Sequence, residues 1–170
     1  MHRRAFIASL FAVAATSAQA EDELRSARDI RTDFKGAARN GRLVVVVMKG
    51  AWCPVCVGQL DRFAKLGEQL HRLNAQVVGL NADSPADNLV VEKKLGVPIL
   101  SDPDGSTLRG LGLWRDDWGH PMPAVLVFDR CGEERGRVVG RRPGLRDEEA
   151  VIELLKTLAL DPARCGQTNT

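Results

Sequence analysis

An unbroken apolar run followed closely by two cysteines restricts the fold of this chain more than any other feature of its sequence. The run, Leu43–Met48, contains no polar side chain, so it predicts a strand covered on both faces, as at the centre of an α/β sheet. Cys53 and Cys56 follow at Cys-x-x-Cys spacing, and Pro54–Asn74 predicts a helix. Its apolar residues recur at helical steps of three and four: Cys56, Leu60, Phe63, Gly67 and Leu70.

The rest of the chain alternates between strand and helix patterns, which predicts one domain built on a mixed sheet. Strands joined through helices favour parallel pairing, whereas a short Gly-bearing connection between the last two strands favours an antiparallel hairpin. We therefore expect an α/β fold with helices on both faces of a central sheet, a core of about residues 42–160 and a C-terminal tail at 161–170. The predicted elements are a mostly helical Glu21–Arg39, strand Gln76–Leu80, a helix from Ser84 and Pro85 to Gly96, a short apolar segment Val97–Leu100, strands Ala124–Asp129 and Arg137–Gly140, and a last helix capped by Asp147.

The first 20 residues have the composition of an export signal. Arg3 and Arg4 precede a short apolar stretch, and Ala18-Gln19-Ala20 is a small-x-small cleavage motif. We expect a mature chain of residues 21–170 without a membrane span, exported to the periplasm or a comparable compartment by the general secretory or the twin-arginine route. The whole chain has 24 basic and 22 acidic residues. Loss of Arg3 and Arg4 makes these numbers equal, which does not favour a nucleic-acid partner.

The position of Cys53 at the start of a helix predicts a reactive thiol. Free N–H groups and the macrodipole at a helix N-terminus stabilise negative charge, so we expect the pKa of the Cys53 thiol to lie below that of a free cysteine. Pro54 fits the first helical turn, where its missing N–H has no partner to lose. Cys56 lies on the inward stripe and is expected to be the more buried of the two. This asymmetry predicts Cys53 as the attacking sulfur and Cys56 as the resolving one.

The cysteine pair also permits two other interpretations, half of a zinc site or a purely structural disulfide. A second Cys-x-x-Cys is absent from the sequence, and a metal held by Cys53 and Cys56 would need further ligands such as His120. We predict no cofactor and no resident metal. The two remaining cysteines, Cys131 and Cys165, are candidates for a structural disulfide once the first pair is formed, because an oxidising compartment preserves such bonds.

The sequence resembles the thioredoxin-like superfamily in two places. Ala51-Trp52-Cys53-Pro54-Val55-Cys56, after an apolar strand, is similar to the superfamily's active-site motif. Met122-Pro123, just before the strand Ala124–Phe128, is similar to its cis-proline position. The resemblance implies that this proline lies beside the cysteine pair and presents backbone to a partner chain. The candidate substrate-binding residues are Trp52, Pro54, Met122 and Pro123.

A finer resemblance, carried by Lys49–Cys56 and Leu100–Gly105, is to the redoxin or AhpC/TSA branch, in which Cys53 matches the peroxidatic cysteine. The sequence departs from that family's pattern at its peroxide-activating residues. Val46 and Gly50 stand where the pattern has Pro and Thr, and Met122-Pro123 stand where it has Arg. Val47 stands where thioredoxins carry a buried acid, so the proton acceptor of Cys56 is unassigned.

We predict an exported thiol–disulfide oxidoreductase. Cys53 attacks a disulfide of a protein substrate, and Cys56 then attacks Cys53 and releases the reduced partner. The reverse sequence would make the protein an oxidant, and the sequence leaves the direction open. The resemblance implies protein thiols or disulfides as substrates and a separate redox partner that regenerates the pair. One alternative is a peroxiredoxin-like thiol peroxidase, in which Cys53 becomes a sulfenic acid that Cys56 resolves. A second alternative is a metal-binding chaperone that uses Cys53 and Cys56.

Overall fold

A computed structural model describes residues 24–26, 31–140 and 147–160 of the protein. The predicted signal peptide and the C-terminal tail lie outside the described residues. The strands are β1 (Leu24–Arg25), β2 (Arg31–Thr32), β3 (Arg42–Val47), β4 (Ala75–Asn81), β5 (Ile99–Ser101), β6 (Trp114–Arg115), β7 (His120–Pro121), β8 (Ala124–Phe128) and β9 (Glu134–Val139). The helices are α1 (Phe34–Ala37), α2 (Pro54–Lys65), α3 (Gly67–Arg72), α4 (Pro85–Leu95), α5 (Ser106–Gly110) and α6 (Glu148–Leu160).

Seven of these strands form a mixed sheet in the order β2-β1-β5-β4-β3-β8-β9, and β6 and β7 form a separate two-stranded ribbon. The central strand β3 is parallel to β4 and antiparallel to β8. The whole predicted run Leu43–Met48 is 0% exposed. The prediction of a strand covered on both faces is therefore confirmed, as is the predicted α/β class.

Alternate residues of β3 point into two separate apolar clusters, one on each face of the sheet. Val44, Val46 and Met48 pack in the cluster that holds both cysteines of the pair together with side chains of α2, α4 and α6. Leu43, Val45 and Val47 pack in the opposite cluster, to which α5 and the first residues of the described chain contribute. Helices thus cover both faces, as predicted. None of the helices in the described part of the chain is long and apolar enough to cross a membrane.

Hydrogen bonds at the ends of α4 and along the last two strands agree with the sequence patterns. The Ser84 hydroxyl accepts the Asp87 N–H at 3.2 Å as the N-cap of α4, and Gly96 ends that helix in the left-handed conformation. β8 and β9 pair antiparallel as the predicted hairpin, with an irregularity between Val127 and Phe128. The last helix begins at Glu148, directly after Asp147 as expected.

The prediction of a mostly helical Glu21–Arg39 is wrong for the described part of that segment. Leu24 and Arg25 form β1, which pairs with β2 and joins the sheet through Arg25 opposite Ser101 of β5. Leu24 is fully buried in the cluster behind the sheet. The composition allows a helix, but pairing with an open strand edge and burial of one leucine determine the conformation. A single helical turn, α1, follows.

The helix predicted over Pro54–Asn74 is divided in two at Leu66. The Leu66 N–H bonds to Phe63 O at 3.0 Å, which tightens the end of α2, and α3 begins at Gly67. Gly67, expected on the buried stripe, is exposed. Glycine is a weak helix former, which fits a break in the helix at this position. The other four stripe residues are buried.

Candidate active site

The strand directions place the cysteine pair and the loops around it at one edge of the sheet. β3 and β4 are parallel, so the loops that follow them, which carry Cys53 and Asp83, leave the sheet at the same edge. β8 runs the opposite way, with Ala124 opposite Val47, so the Met122-Pro123 segment that precedes it lies at that edge too. In open α/β sheets this carboxyl edge is where ligands bind.

Cys53 is the N-cap residue of α2. Its backbone is extended, its Sγ accepts the Cys56 N–H at 3.3 Å, and Pro54 occupies the first helical position. The Cys53 N–H donates to Gly50 O at 3.1 Å, which closes the turn between β3 and α2. A thiolate at this position would meet the unpaired N–H groups of the first helical turn, which stabilise its charge.

Cys53 and Cys56 are joined by a disulfide, with their Cα atoms 5.3 Å apart. Cys53 is 5% exposed and Cys56 is 1% exposed, within the apolar cluster that α2 shares with α6. The predicted order of burial holds, although both sulfur-bearing residues are buried. This difference favours Cys53 as the sulfur that is attacked from outside, and the two roles stay a prediction.

Trp52 is 64% exposed and borders the cysteine pair. Together with Val90 and Val91 of α4 it lines a groove of about 550 Å³, and Asp83 and Asp87 also line that groove. Pro54 and Val55 are exposed at the start of α2. The residue that precedes Cys53 therefore forms one wall of an open groove that is apolar on its walls and acidic at two points.

Asp83 fixes the active-site loop through a contact that the sequence does not reveal. Its Oδ2 accepts the Ala51 N–H at 2.6 Å, across 32 positions of sequence. Asp83 is linked to the sheet through Asn81, whose Oδ1 accepts the Asp83 N–H at 3.1 Å and the Asn88 amide at 2.9 Å. The only local signal is that Asp83 follows a predicted strand and precedes a helix cap, which does not identify its partner.

The second aromatic group beside the site comes from the β6–β7 ribbon. The His120 ring lies 6.2 Å from the Trp52 ring and 5.5 Å from the Trp118 ring, measured between centroids. Arg115 and Lys49 lie over the face of Trp118, at 4.7 Å and 5.7 Å. The surroundings of Trp52 on the side of the ribbon are therefore aromatic and basic, and His120 is half-buried there.

The expectation of a cis-proline at Met122-Pro123 is wrong, because the described residues contain no cis peptide bond. Backbone hydrogen bonds hold the segment on both sides of this peptide. The Met122 N–H donates to Leu113 O at 2.7 Å, and Pro123 O accepts the Gly140 N–H at 2.9 Å. Met122 is half-buried and Pro123 is buried. The segment lies at the predicted edge of the sheet, and its role in substrate binding stays a prediction.

Two further predictions concern disulfides and metals. Cys131 is disulfide-bonded, but Cys165 lies outside the described residues, so the Cys131–Cys165 bridge stays a prediction. Within residues 24–26, 31–140 and 147–160, no three His, Cys, Asp or Glu side chains come together in a way that could hold a metal ion. The metal-chaperone alternative therefore gains no support from the described geometry.

The fold and the site together define a thiol-based redoxin of thioredoxin-like fold. The chain belongs to the AhpC/TSA family, whose sequence profile matches residues 13–134. Among curated proteins it is similar to a peroxiredoxin of Hyperthermus butylicus, at 29% identity over 116 residues, or 63% of this chain and 50% of the relative. It is also similar to peroxiredoxin 2 of Sulfurisphaera tokodaii, at 35% identity over 92 residues, or 49% of this chain and 43% of the relative.

The chain spans about half the length of the curated relatives it matches. Solved structures match a larger share. Peroxidoxin BcpB of Mycobacterium tuberculosis superimposes with a TM-score of 0.72 at 18% identity, covering 80% of this chain and 92% of that one. Peroxiredoxin Q of Xanthomonas campestris gives 0.69 at 19% identity, covering 81% and 90%. At these identities the likeness establishes the fold.

Proposed function

We propose that this protein is a thiol peroxidase in which Cys53 reduces a peroxide and Cys56 resolves the oxidised sulfur. The observation that carries the proposal is the Cys53–Cys56 disulfide at the N-terminus of α2 in a chain of the AhpC/TSA family. The relatives named above are peroxiredoxins. They support this activity, an alternative in the sequence analysis, better than the disulfide exchange that was the main prediction.

The reaction balances over two steps and a recovery step. The Cys53 thiolate attacks the peroxide, the O–O bond breaks, one oxygen stays on sulfur as a sulfenic acid, and an alcohol or water leaves. Cys56 Sγ then attacks Cys53 Sγ, the S–S bond forms, and the hydroxyl leaves with the Cys56 proton as water. An external dithiol supplies two electrons and two protons and restores both thiols. The disulfide in the structure corresponds to the product of the second step.

A second candidate, exchange of disulfides with protein substrates, is favoured by how the site departs from the family pattern. No threonine hydroxyl is available at Gly50, and Pro123 occupies the neighbourhood of the expected arginine. The exposed Trp52 and the open groove that it lines would accommodate a polypeptide. In this reaction Cys53 forms a mixed disulfide with the partner, and Cys56 releases it.

Rapid mixing of the reduced protein with hydrogen peroxide distinguishes these two activities. Trp52 adjoins Cys53, so tryptophan fluorescence should follow its oxidation. We expect Cys53→Ser to abolish peroxide consumption, and Cys56→Ser to consume one equivalent and leave a sulfenic acid that dimedone traps. A parallel reaction with a model protein disulfide measures exchange. Peroxide consumption no faster than that of Cys53→Ser, together with efficient exchange, would replace the first candidate by the second.

We also propose that the protein is exported, with cleavage after Ala20. The composition of the first 20 residues supports this, and such a cleavage would leave every described strand intact, since β1 begins at Leu24. The test is N-terminal sequencing of the protein recovered from a periplasmic fraction. Replacement of Arg3 and Arg4 by lysine should block export by the twin-arginine route and leave the general secretory route unaffected. A chain retained in the cytoplasm at full length would contradict export.

A further inference from the structure

A buried carboxylate with an unused oxygen lies between α2 and α6. Asp147 is 6% exposed, and its Oδ1 accepts the Gln59 side-chain N–H at 3.3 Å. Its Oδ2 has no hydrogen-bond partner within the part of the chain that the structure describes. The sequence predicts Asp147 as a helix cap, yet its carboxylate is turned to Gln59, while its backbone carbonyl accepts the Val151 N–H. A buried acid with a free oxygen is costly to keep and points to a use beyond capping.

Asp147 contacts α2 one helical turn away from Cys56. Gln59 follows Cys56 by three positions on α2, both are buried, and residues three apart share a helix face. Val151, in the first turn of α6, packs in the same apolar cluster as Cys56. The first turn of α6 therefore lies against the turn of α2 that begins at Cys56.

The surroundings of Asp147 raise the pKa of its carboxyl. Burial is the largest cause of this rise in the Asp147 pKa, and the negative charge of Glu148 adds to it. Hydrogen bonds from the Asp147 backbone and from Gln59, and the positive charge of Arg62, act in the opposite direction. Arg62 is itself hydrogen-bonded to Glu148. A carboxyl whose pKa lies nearer the working pH is better suited to accept and return a proton.

We propose that Asp147 is the proton acceptor for Cys56 when the disulfide forms and the proton donor to Cys56 when it is reduced. The proposal rests on the Cys53/Cys56 redox pair but not on the identity of the oxidant. Cys56 is 1% exposed, so bulk water has little access to its proton. The strand before the motif holds Val46 and Val47 and no acid. Asp147 lies directly before α6 and one turn of α2 away from Cys56, and the oxygen that takes the proton is Oδ2, which has no hydrogen-bond partner among the described residues.

The step is balanced for any partner that leaves a mixed disulfide on Cys53. The Cys56 thiol gives its proton to Asp147, and the Cys56 thiolate attacks Cys53 Sγ. The intramolecular S–S bond forms, the bond between Cys53 and the partner breaks, and the partner leaves as a thiolate. On reduction a thiol attacks Cys53, Cys56 leaves as a thiolate, and Asp147 returns the proton.

The test uses dithionitrobenzoate with the full chain in which Cys53 and Cys56 have been reduced. A first, reagent-dependent phase releases one thionitrobenzoate as Cys53 is modified, and a second, reagent-independent phase releases another as Cys56 attacks. We expect Asp147→Asn, which keeps an oxygen for Gln59, to slow the second phase at neutral pH by at least about tenfold. Its rate should then rise with pH as a single thiol ionisation. The first phase should be unchanged in Asp147→Asn, and both phases should be unchanged in the control Glu149→Gln.

A second phase of the same rate and pH profile in Asp147→Asn and in the unmodified protein would overturn the proposal. If the variant does not fold, the Asp147 carboxyl can be titrated by NMR in the unmodified protein, in the disulfide and dithiol forms. If Asp147 exchanges a proton with Cys56, the pKa of the Asp147 carboxyl must differ between the disulfide and dithiol forms. An equal Asp147 pKa in both forms would also overturn the proposal. Since dithionitrobenzoate supplies the oxidant, failure of the peroxidase proposal does not affect either outcome.

Discussion

At Gly50 the active-site turn has no room for a side chain. A Cβ there would lie 2.7 Å from Trp52 Cδ1 and 2.8 Å from Asp83 Oδ2. Its φ is outside the left-handed region, so the requirement for glycine comes from space alone. The indole of Trp52 therefore occupies the place where the family pattern has a threonine side chain, and the peroxide-activating hydroxyl cannot be added without moving that indole.

We predict that Gly50→Ala displaces Trp52 and lowers the free energy of unfolding by about 1–3 kcal/mol, the usual cost of overpacking. Chemical denaturation and tryptophan emission measure the two effects. Gly58→Ala is the matched control, because a Cβ on Gly58 of α2 meets nothing within 4 Å. That variant should gain about 0.5–1 kcal/mol from helix propensity. An unmoved indole with unchanged stability in Gly50→Ala would contradict the packing described above.

Among the elements, β3 and the start of α2 are predictable from the sequence because each is specified by adjacent residues. The apolar run by itself predicts a buried strand, and the cysteine spacing together with Pro54 predicts where the helix begins. Elements that depend on distant partners are not predictable in this way. β1 takes its conformation from β5, and the Met122-Pro123 peptide from pairing with Leu113 and Gly140.

The same limit applies inside the candidate site. Cys53, Cys56 and Trp52 are adjacent in sequence, so their neighbourhood follows from the motif. Asp83 reaches Ala51 across 32 positions, and Gln59 reaches Asp147 across 88. No local pattern in a single sequence encodes such contacts, since an aspartate after a strand or before a helix has the same appearance whatever it binds.

The turn of the β8–β9 hairpin depends on one buried carboxylate. Asp129 Oδ1 accepts the N–H groups of Cys131 at 2.8 Å and Glu133 at 3.1 Å, and its Oδ2 accepts from Arg135 Nε at 2.6 Å. Burial alone would raise the pKa of Asp129, but the Arg135 guanidinium and the two backbone N–H groups hold it below its usual value. The ionised carboxylate is therefore part of the folded hairpin.

We predict that Asp129→Asn lowers the free energy of unfolding by about 1.5–3 kcal/mol at neutral pH, the range for hydrogen bonds to a charged group. Because the folded-state pKa is lowered, the stabilisation is complete above the unfolded-state value of about 3.9 and is lost as the pH falls through the folded-state value. Denaturant unfolding at a series of pH values should show the two proteins converging in acid. Asp117→Asn, at an exposed ion pair with Arg115, should change stability little at any pH. A constant difference down to strongly acidic pH would contradict the assignment.

On the scale of the whole molecule, the Cys53–Cys56 disulfide contributes little to the stability of the fold. It links residues three apart in sequence, so it removes little conformational entropy from the unfolded chain. On the chain-entropy model this loss stabilises the folded state by about 2 kcal/mol. The sheet and its two apolar clusters hold the fold. The pair is therefore free to open and close without the molecule unfolding.

We predict that reducing this disulfide lowers the free energy of unfolding by no more than about 2 kcal/mol. Denaturant unfolding of the wild-type chain with and without a reductant measures the total effect. The Cys53→Ser/Cys56→Ser double variant, treated in the same way, isolates the contribution of any other disulfide. A difference between the two proteins well above this limit would show that the fold strongly prefers the oxidised pair, since 1.4 kcal/mol corresponds to about 30 mV of reduction potential.

The strands at the two sides of the sheet also affect how copies of the protein behave in concentrated solution. One side ends in β1 and β2, each two residues long, which offer almost no backbone for another chain to pair with. The other side ends in β9, where Glu134, Arg135 and Arg137 place charges along the strand. Short or charged edges resist edge-to-edge aggregation. The protein can thereby keep an open, apolar-walled groove on its surface without its sheet pairing with further copies into fibrils.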